Sequence, residues 1–251
     1  MLKNLELLEI AKQTAMEGVK ELFKTSLPLT DAEFDYEIPR ELKSSADRIV
    51  ENLILDRLIP TKIEILSEER GKITGENTDG MMWIIDPLDG TVNYVRELGP
   101  CSVSIALWRE NRPIFGVICE YPSMKLFWGG PTIGAFSDGE PIEVSMNADS
   151  NKGVLCSGFP SRFTFEAKSA QEFLNVAKNY AKVRMLGAAS LSLIKVASGA
   201  ADMYYENGIM IWDIAAGLAI LEGAGGKFRL IPSANEYAFQ VHASNNRIEI
   251  E

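Results

Sequence analysis

One histidine, three cysteines and no uninterrupted apolar run are what these 251 residues hold least of, and each shortage closes off a class of chemistry. With His242 alone, Ser-His-Asp and Cys-His nucleophilic catalysis have no base unless that residue supplies it. Set in Val241-His242-Ala243-Ser244, it reads better as a structural residue. Cys101, Cys119 and Cys156 are odd in number and widely spaced, with no CxxC, so neither a disulfide framework nor a zinc site is expected. A reducing compartment fits that usage. The opening segment MLKNLELLEIAKQTAMEGVKELF is broken by Glu6, Glu9, Glu17 and Glu21, which argues against a signal peptide or membrane span and for a cytoplasmic location. Basic residues are also short, 25 Lys and Arg against 35 Asp and Glu, and the net charge of −10 argues against binding nucleic acid by phosphate neutralisation. What remains is carboxylate and metal chemistry on a small molecule.

Apolar residues make up 46% of the chain, enough for a sizeable core in one large domain. Residues 4 to 24 repeat Leu5, Leu8, Ala15, Val19, Leu22 and Phe23 near helical spacing, which predicts an amphipathic helix. Residues 25 to 42 have no period and read as a loop or hairpin, either a solvated connector or a segment that moves over a site. Ser44-Ser45-Ala46-Asp47 opens a second helix through Ile49, Val50, Leu53, Ile54, Leu58 and Ile59, stopped by Pro60. Ile63 to Ser67 reads as a strand that delivers Glu68 and Glu69 at its end. Strand-like runs over 102–108, 114–121, 125–128 and 134–137, separated by turn signals, predict an antiparallel meander. A strand over 153–157 and a helix over 165–180 follow. The run Val183 to Leu186 then leads into a helix opened by Gly187-Ala188-Ala189-Ser190 and ended by Gly199. Next come a strand over 201–205, a helix that starts at Trp212-Asp213 and closes at Gly223, and strands over 226–231 and 240–244.

Residues 83 to 94, Trp-Ile-Ile-Asp-Pro-Leu-Asp-Gly-Thr-Val-Asn-Tyr, concentrate the chemistry. Three bulky apolar residues run into Asp86 and Asp89, held three positions apart by Pro87, so a buried strand ending in an acidic turn is predicted. The two carboxylates and the Leu88 carbonyl are hard oxygen donors of the kind Mg²⁺ takes, and Gly90-Thr91 opens a helix whose N–H groups suit a phosphate. Other carboxylates end other elements: Glu68 beside Glu69, Asp47 in a first helical turn, Asp213 at the head of a later helix. Each has a plainer reading as well, since Asp47 complements a helix dipole, Asp213 caps a helix and Glu68-Glu69 is a solvated pair. Buried together, they would have to converge on a cation.

WIIDPLDGTVNY resembles the signature of the inositol monophosphatase family, in the superfamily of Mg²⁺-dependent, often lithium-sensitive phosphatases that includes fructose-1,6-bisphosphatase. The likeness extends to Ser67-Glu68-Glu69 upstream and to Trp212-Asp213, in WDIAAG, downstream, and so covers nearly the whole chain. Haloacid-dehalogenase phosphatases also use an acidic DGT turn, but their aspartates stand two residues apart rather than three. The resemblance implies an α+β fold, a layered αβαβα sandwich of the sugar-phosphatase type. An antiparallel sheet is expected in the N-terminal half and a smaller mixed sheet in the C-terminal half. One phosphatase domain over 1–251 would then carry the metal-site motif up to about residue 145 and the substrate side from about residue 146.

The same resemblance implies a phosphoric monoester hydrolase acting on inositol monophosphate, and on fructose 1,6-bisphosphate as well, as in compact archaeal and bacterial members. It makes Glu68, Asp86, the Leu88 carbonyl, Asp89 and Asp213 the ligands of two or three Mg²⁺ ions. Asp47 and Thr91 would position and deprotonate the attacking water, and Asp89, Gly90 and Thr91 would receive the phosphate. Gly187, Ala188 and Glu206 would face the rest of the substrate. Arg184, just before Gly187, reads either as a residue for a second phosphate or a sugar hydroxyl or as a surface arginine. Where many members carry a DxVTxxD run, this chain has Glu41-Leu42-Lys43-Ser44-Ser45-Ala46-Asp47. The implied partners are a phosphorylated polyol or sugar and a second copy of the chain in a homodimer, with no nucleic acid and no membrane. Two unit charges 4 Å apart interact by about 4 kcal/mol at an effective dielectric near 20, so a phosphate would be repelled from these carboxylates without metal. A phosphatase for 3′-phosphoadenosine 5′-phosphate or NADP is the alternative within the class. A catalytically silent member kept as a binding protein is the alternative outside it, although every expected ligand position is filled.

Overall fold

Helical periodicity sets the first layer. The computed structural model describes residues 2–25, 33–34, 42–76, 79–161, 163 and 165–250. Helix α1 (Leu2–Leu22) buries Leu7, Leu8, Ala11, Ala15, Val19 and Leu22 along one stripe. Leu5 and Phe23, expected on that stripe, are exposed. The described part of the 25–42 segment includes strand β1 (Glu33–Phe34), paired antiparallel with β2 (Leu42–Lys43). The reading of that segment as a mobile loop lies outside the described residues. Helix α2 (Ser45–Leu58) starts at the Ser44 N-cap and passes into a 3₁₀ turn over Ile59–Thr61, where Pro60 cannot continue an α-helix. It buries Ala46, Val50, Ile54, Leu55 and Leu58, whereas Ile49 and Ile59 face solvent.

Strands β3 (Glu64–Ser67), β4 (Gly71–Ile73) and β5 (Met81–Asp89) come next, then a short helix α3 (Thr91–Val95). The predicted meander follows as β6 (Cys101–Arg109), β7 (Arg112–Tyr121), β8 (Leu126–Gly130) and β9 (Gly134–Ser137), with β10 (Glu140–Pro141) at its edge. These strands form one sheet of eight in the order β10-β9-β8-β7-β6-β5-β3-β4. The expectation of an antiparallel sheet holds for every pair but β3–β5, which is parallel. β4 folds back antiparallel on one side of β3 and β5 lies on the other side, running in the same direction as β3, so β3 and β5 end near the same edge.

The second half contributes β11 (Val154–Ser157), α4 (Ala167–Ala177), β12 (Lys182–Arg184), α5 (Ala189–Ala197), β13 (Met203–Met210), α6 (Ile211–Gly223), β14 (Lys227–Pro232) and β15 (Ala238–Ser244). Helix α4 is shorter than the 165–180 span predicted. β13 runs past the predicted end at Tyr205, because a register shift between Asn207 and Ile209 absorbs the turn-like Asn207-Gly208 within the strand. The five strands form a mixed sheet ordered β12-β11-β13-β15-β14.

Alternation along the strands sorts the layers. Trp83, Ile85, Val103, Ile105, Leu107 and Phe115 pack with α1 and α2 on one face of the large sheet. Ile84, Ala106, Trp108 and Ile118 face the other way, onto Leu193, Ile194, Ile214, Ala215 and Leu218 of α5 and α6, which in turn meet Cys156, Tyr204 and Val241 of the small sheet. Leu155, Met203 and Tyr205 cover the outer face beneath Phe173 and Val176 of α4. The result is the αβαβα sandwich, with α5 and α6 between the sheets. Among the described residues no helix is long and apolar enough to cross a membrane.

The central layer sits close against the large sheet. A Cβ at Gly116 of β7 would lie 2.2 Å from the Ala216 carbonyl oxygen and 2.6 Å from its Cα. Gly116→Ala is therefore expected to destabilise the fold by about 3 kcal/mol, read as a lower urea midpoint. An unchanged midpoint would mean that α6 can back away from β7.

Candidate active site and metal centre

The acidic turn is not the end of β5 but part of it. Asp86 pairs with Ser104 and Asp89 with Ser102 on β6, with a register shift between them, so Pro87 and Leu88 stand opposite the single residue Val103 and the strand bulges by one residue. The Leu88 N–H donates to Asp86 Oδ1 at 2.9 Å, and the Leu88 carbonyl lies 3.1 Å from Thr91 Oγ1. Gly90 then turns the chain into α3 at φ 92°. That conformation suits glycine, and so does the space, because a Cβ there would lie 3.2 Å from the Gly187 carbonyl oxygen and 3.3 Å from Ala188 Cβ.

Asp86, Asp89 and Asp213 each bring one carboxylate oxygen to a common spot, all within 4.8 Å of one another. Glu68 and Asp213 are close neighbours of Asp86 and feel its charge or its hydrogen bonding. Burial, and next the charge of neighbouring acids, pushes the carboxyls of Glu68, Asp86 and Asp213 well above the usual carboxylate range. Glu68 and Asp213 keep part of their surface open to the cavity beside them. Asp89 is raised by burial to about 6, even though it accepts the Ala189 N–H at 3.1 Å, the Ser190 N–H at 2.8 Å and the Ser190 hydroxyl. Asp89 thus caps α5 from a strand a hundred residues earlier in the chain.

Asp47 lies beside this group, buried in the first turn of α2. Its Oδ2 accepts the Ser44 N–H at 2.9 Å and the Ser44 hydroxyl at 2.5 Å, while its Oδ1 lies 3.0 Å from Thr91 Oγ1. Burial raises its pKa and the Ser44 hydrogen bonds oppose the rise. Thr91 has one proton and two acceptors in reach, Asp47 Oδ1 and the Leu88 carbonyl, so its hydroxyl can turn from one to the other.

A cavity of about 450 Å³ opens over the acids, lined among others by Glu68, Asp89, Thr91, Gly187, Glu206 and Asp213. Glu206 is buried and accepts the Tyr204 hydroxyl at 2.6 Å. Burial lifts its carboxyl to about 7, against the Tyr204 hydrogen bond. Gly158 leaves room for it, since a Cβ there would lie 3.0 Å from both Glu206 carboxylate oxygens.

These residues fit a divalent cation. The converging donors are all oxygen, which selects hard cations. No Lys or Arg among the described residues is ion-paired with Glu68, Asp86, Asp89 or Asp213, so within that set the four crowded carboxylates are met by no positive side chain.

The sequence profile of the inositol monophosphatase family matches residues 3–246. The chain belongs to the inositol monophosphatase family. It is 37% identical over 190 residues to an inositol-1-monophosphatase of Synechocystis, covering 74% of this chain and 66% of that protein. It is 31% identical over 230 residues to a fructose-1,6-bisphosphatase/inositol-1-monophosphatase of Aquifex aeolicus, covering 89% of this chain and 85% of the relative. The crystal structure of the extragenic suppressor protein suhB from Bartonella henselae superposes with a TM-score of 0.86 at 29% identity, over 96% of this chain and 95% of that one. The family is one of metal-dependent phosphatases acting on phosphorylated small molecules, and the acidic cluster could hold a metal ion.

In this inositol monophosphatase family phosphatase, the residues anticipated from sequence are brought together with one exception. Arg184 is exposed on the edge strand β12, donates to the Val183 carbonyl at 2.9 Å and is not among the cavity-lining residues. His242 is buried beside the Tyr205 ring, away from that lining. Several residues that build the site were not anticipated. Ser44 holds Asp47, and Ser190 holds Asp89 with Ser102 2.7 Å behind it. Asn93 donates to the Leu186 carbonyl at 2.8 Å and the Pro100 carbonyl at 3.0 Å, tying the Gly187 turn to α3. Ser44 carried a signal, three residues before Asp47 at a helix start; the others join segments far apart in sequence and carried none.

The raised carboxyls make the metal-free protein sensitive to pH in a definite direction. Asp89 goes from 3.8 to about 6 and Glu206 from 4.5 to about 7 on folding. Between those values the folded chain binds more protons than the unfolded one, so stability falls as pH rises through the window. In EDTA, scanning calorimetry should give a higher Tm near pH 5 than near pH 8 from these groups, and a saturating divalent cation should recover Tm most at the alkaline end. A Tm that rises with pH in EDTA would contradict the assignment.

Proposed function

We propose that this phosphatase hydrolyses inositol monophosphate, and fructose 1,6-bisphosphate as well, with Mg²⁺ held by Glu68, Asp86, the Leu88 carbonyl, Asp89 and Asp213. The observation that carries the reading is the meeting of the Asp86, Asp89 and Asp213 oxygens at a cavity that Thr91 and Glu206 also line. The Aquifex relative's name joins the two activities, which supports the pair of substrates.

Bound there, Mg²⁺ supplies Lewis acidity to the phosphoryl group and lowers the pKa of a water. The chain supplies position and a base. Thr91 Oγ1 accepts a hydrogen bond from the attacking water and donates its own proton to Asp47 Oδ1, 3.0 Å away. Because Ser44 occupies Asp47 Oδ2, the proton released from water has one oxygen to go to. Burial raises the Asp47 pKa, which makes it a stronger base than a solvated carboxylate. The phosphate sits over the Gly90 turn, where the first turn of α3 leaves N–H groups without intrahelical acceptors. Direct attack by water suits the thiols, since burial pushes Cys101 and Cys119 to about 12 and Cys156 to about 11, far from the thiolate a nucleophile needs.

Phosphate release should require Mg²⁺ with both substrates, and Asp89→Asn should lower kcat by about a thousandfold or more. Activity that survives EDTA, or near-normal turnover by the variant, would sink the mechanism. Glu206 is assigned to the hydroxyls of the polyol. Glu206→Ala should therefore raise KM for inositol 1-phosphate by about tenfold or more while leaving an aryl phosphate without hydroxyls little changed. If both substrates suffer alike, Glu206 is structural. A preference for 3′-phosphoadenosine 5′-phosphate or NADP over both sugar phosphates would favour the nucleotide alternative.

A further inference from the structure

Helix α2 carries a second buried carboxylate one turn beyond Asp47. Glu51 is 1% exposed, and no part of the mechanism above uses it. Its Oε1 accepts the Ser67 hydroxyl and, at 3.1 Å, the Arg70 N–H, and its Oε2 accepts Arg70 Nε at 3.1 Å. Ser67 immediately precedes Glu68, and Arg70 follows it by two residues. Glu51 therefore grips both flanks of the turn that presents Glu68, whose own N–H reaches the Ile85 carbonyl at 3.3 Å. A carboxylate this deeply buried costs several kcal/mol unless its lone pairs are met, and among the described residues the donors that meet them come from this one turn. Asp47 and Glu51, spaced i, i+4, lie on one face of α2. Asp47 holds the turn after β5, and Glu51 holds the turn after β3.

We propose that Glu51 is a positioning residue for the metal centre: by fixing the Ser67–Arg70 turn it holds Glu68 at the distance from Asp86 and Asp213 that a shared cation needs. The inference rests on the reading of Glu68 as a metal ligand. Charge alone does not account for the arrangement, because an unanchored acid would be displaced from Glu68 by repulsion rather than tied to both of its neighbours.

Calorimetric titration of MgCl₂ into the metal-free protein, without substrate, separates these roles. Glu51→Ala should raise the Mg²⁺ Kd by about 10- to 100-fold, the range typical when a group supporting a metal ligand is removed. Glu51→Gln keeps an oxygen for the Ser67 hydroxyl and the Arg70 N–H, so it should stay within about threefold of wild type; a simple loss of charge would instead weaken Gln and Ala alike. Ser67→Ala removes one of the bonds from the other side and should shift Kd the same way by a smaller factor, which provides the test if Glu51→Ala does not fold. Equal Mg²⁺ affinity in wild type, Ser67→Ala and any folded Glu51→Ala overturns the proposal, as does equal weakening by Gln and Ala. A wild-type protein that takes up no divalent cation overturns the metal reading and this inference with it.

Discussion

Repulsion between like charges is the constraint on which the rest of the structure depends. Glu68, Asp86, Asp89 and Asp213 crowd one spot and Asp47 stands beside it. Three of the five are docked on helix N-termini. Asp47 is the third residue of α2, Asp213 the third residue of α6, and Asp89 receives the first N–H groups of α5. A helix start stabilises a nearby anion by about 0.3–1 kcal/mol, whereas a pair of unit charges 4 Å apart costs about 4 kcal/mol at intermediate dielectric. The helices therefore orient these acids without neutralising them. Protons must make up the difference in the metal-free protein and cations in the loaded one, so the same carboxyls titrate high.

That constraint also accounts for the architecture. α5 and α6 lie between the two sheets and both begin at the acidic turn, so the middle layer is aimed as well as packed. The close approach of α6 to β7 at Gly116 keeps that aim, because a retreat of the helix would carry Asp213 away from Asp86 and Asp89. Hydroxyl donors complete the support: Ser44 on Asp47, Ser190 on Asp89 and Ser67 on Glu51. Each is a short side chain that fixes a carboxylate's rotamer without adding a charge.

Most of the framework was legible in the sequence because it is local. The bulky run into Asp86-Pro87-Leu88-Asp89, the Ser44 and Gly187 helix openings and the meander after Gly99 all announce themselves within a few residues. Asp47 and Asp213 each admitted two readings, a role at a helix start and a place among the other acids, and the geometry accommodates both. Asp47 gives one oxygen to Ser44 and the other to Thr91, and Asp213 accepts the Met210 N–H while its carboxylate also meets the aspartates of β5. What stayed hidden is long-range. Nothing near Ser190 shows that it will meet Asp89, nothing near Asn93 points to Leu186, and the parallel pairing of β3 with β5 is decided by the whole sheet. Asn207-Gly208 misled in the opposite direction, since turn residues inside a bulged strand look the same as turn residues between strands.

The bond from Asp89 to the start of α5 has a consequence for how the protein comes into being. During synthesis from the N-terminus, the turn at Asp86 and Asp89 leaves the ribosome about a hundred residues before Ala189 and Ser190, and Asp213 comes later still. A nascent chain holding the large sheet alone has two aspartates with no helix end to orient them and only part of its ligand set. The acids cannot all gather until Asp213 has been made, more than a hundred residues after the Asp86–Asp89 turn, so the cluster forms late and is no template for the early fold.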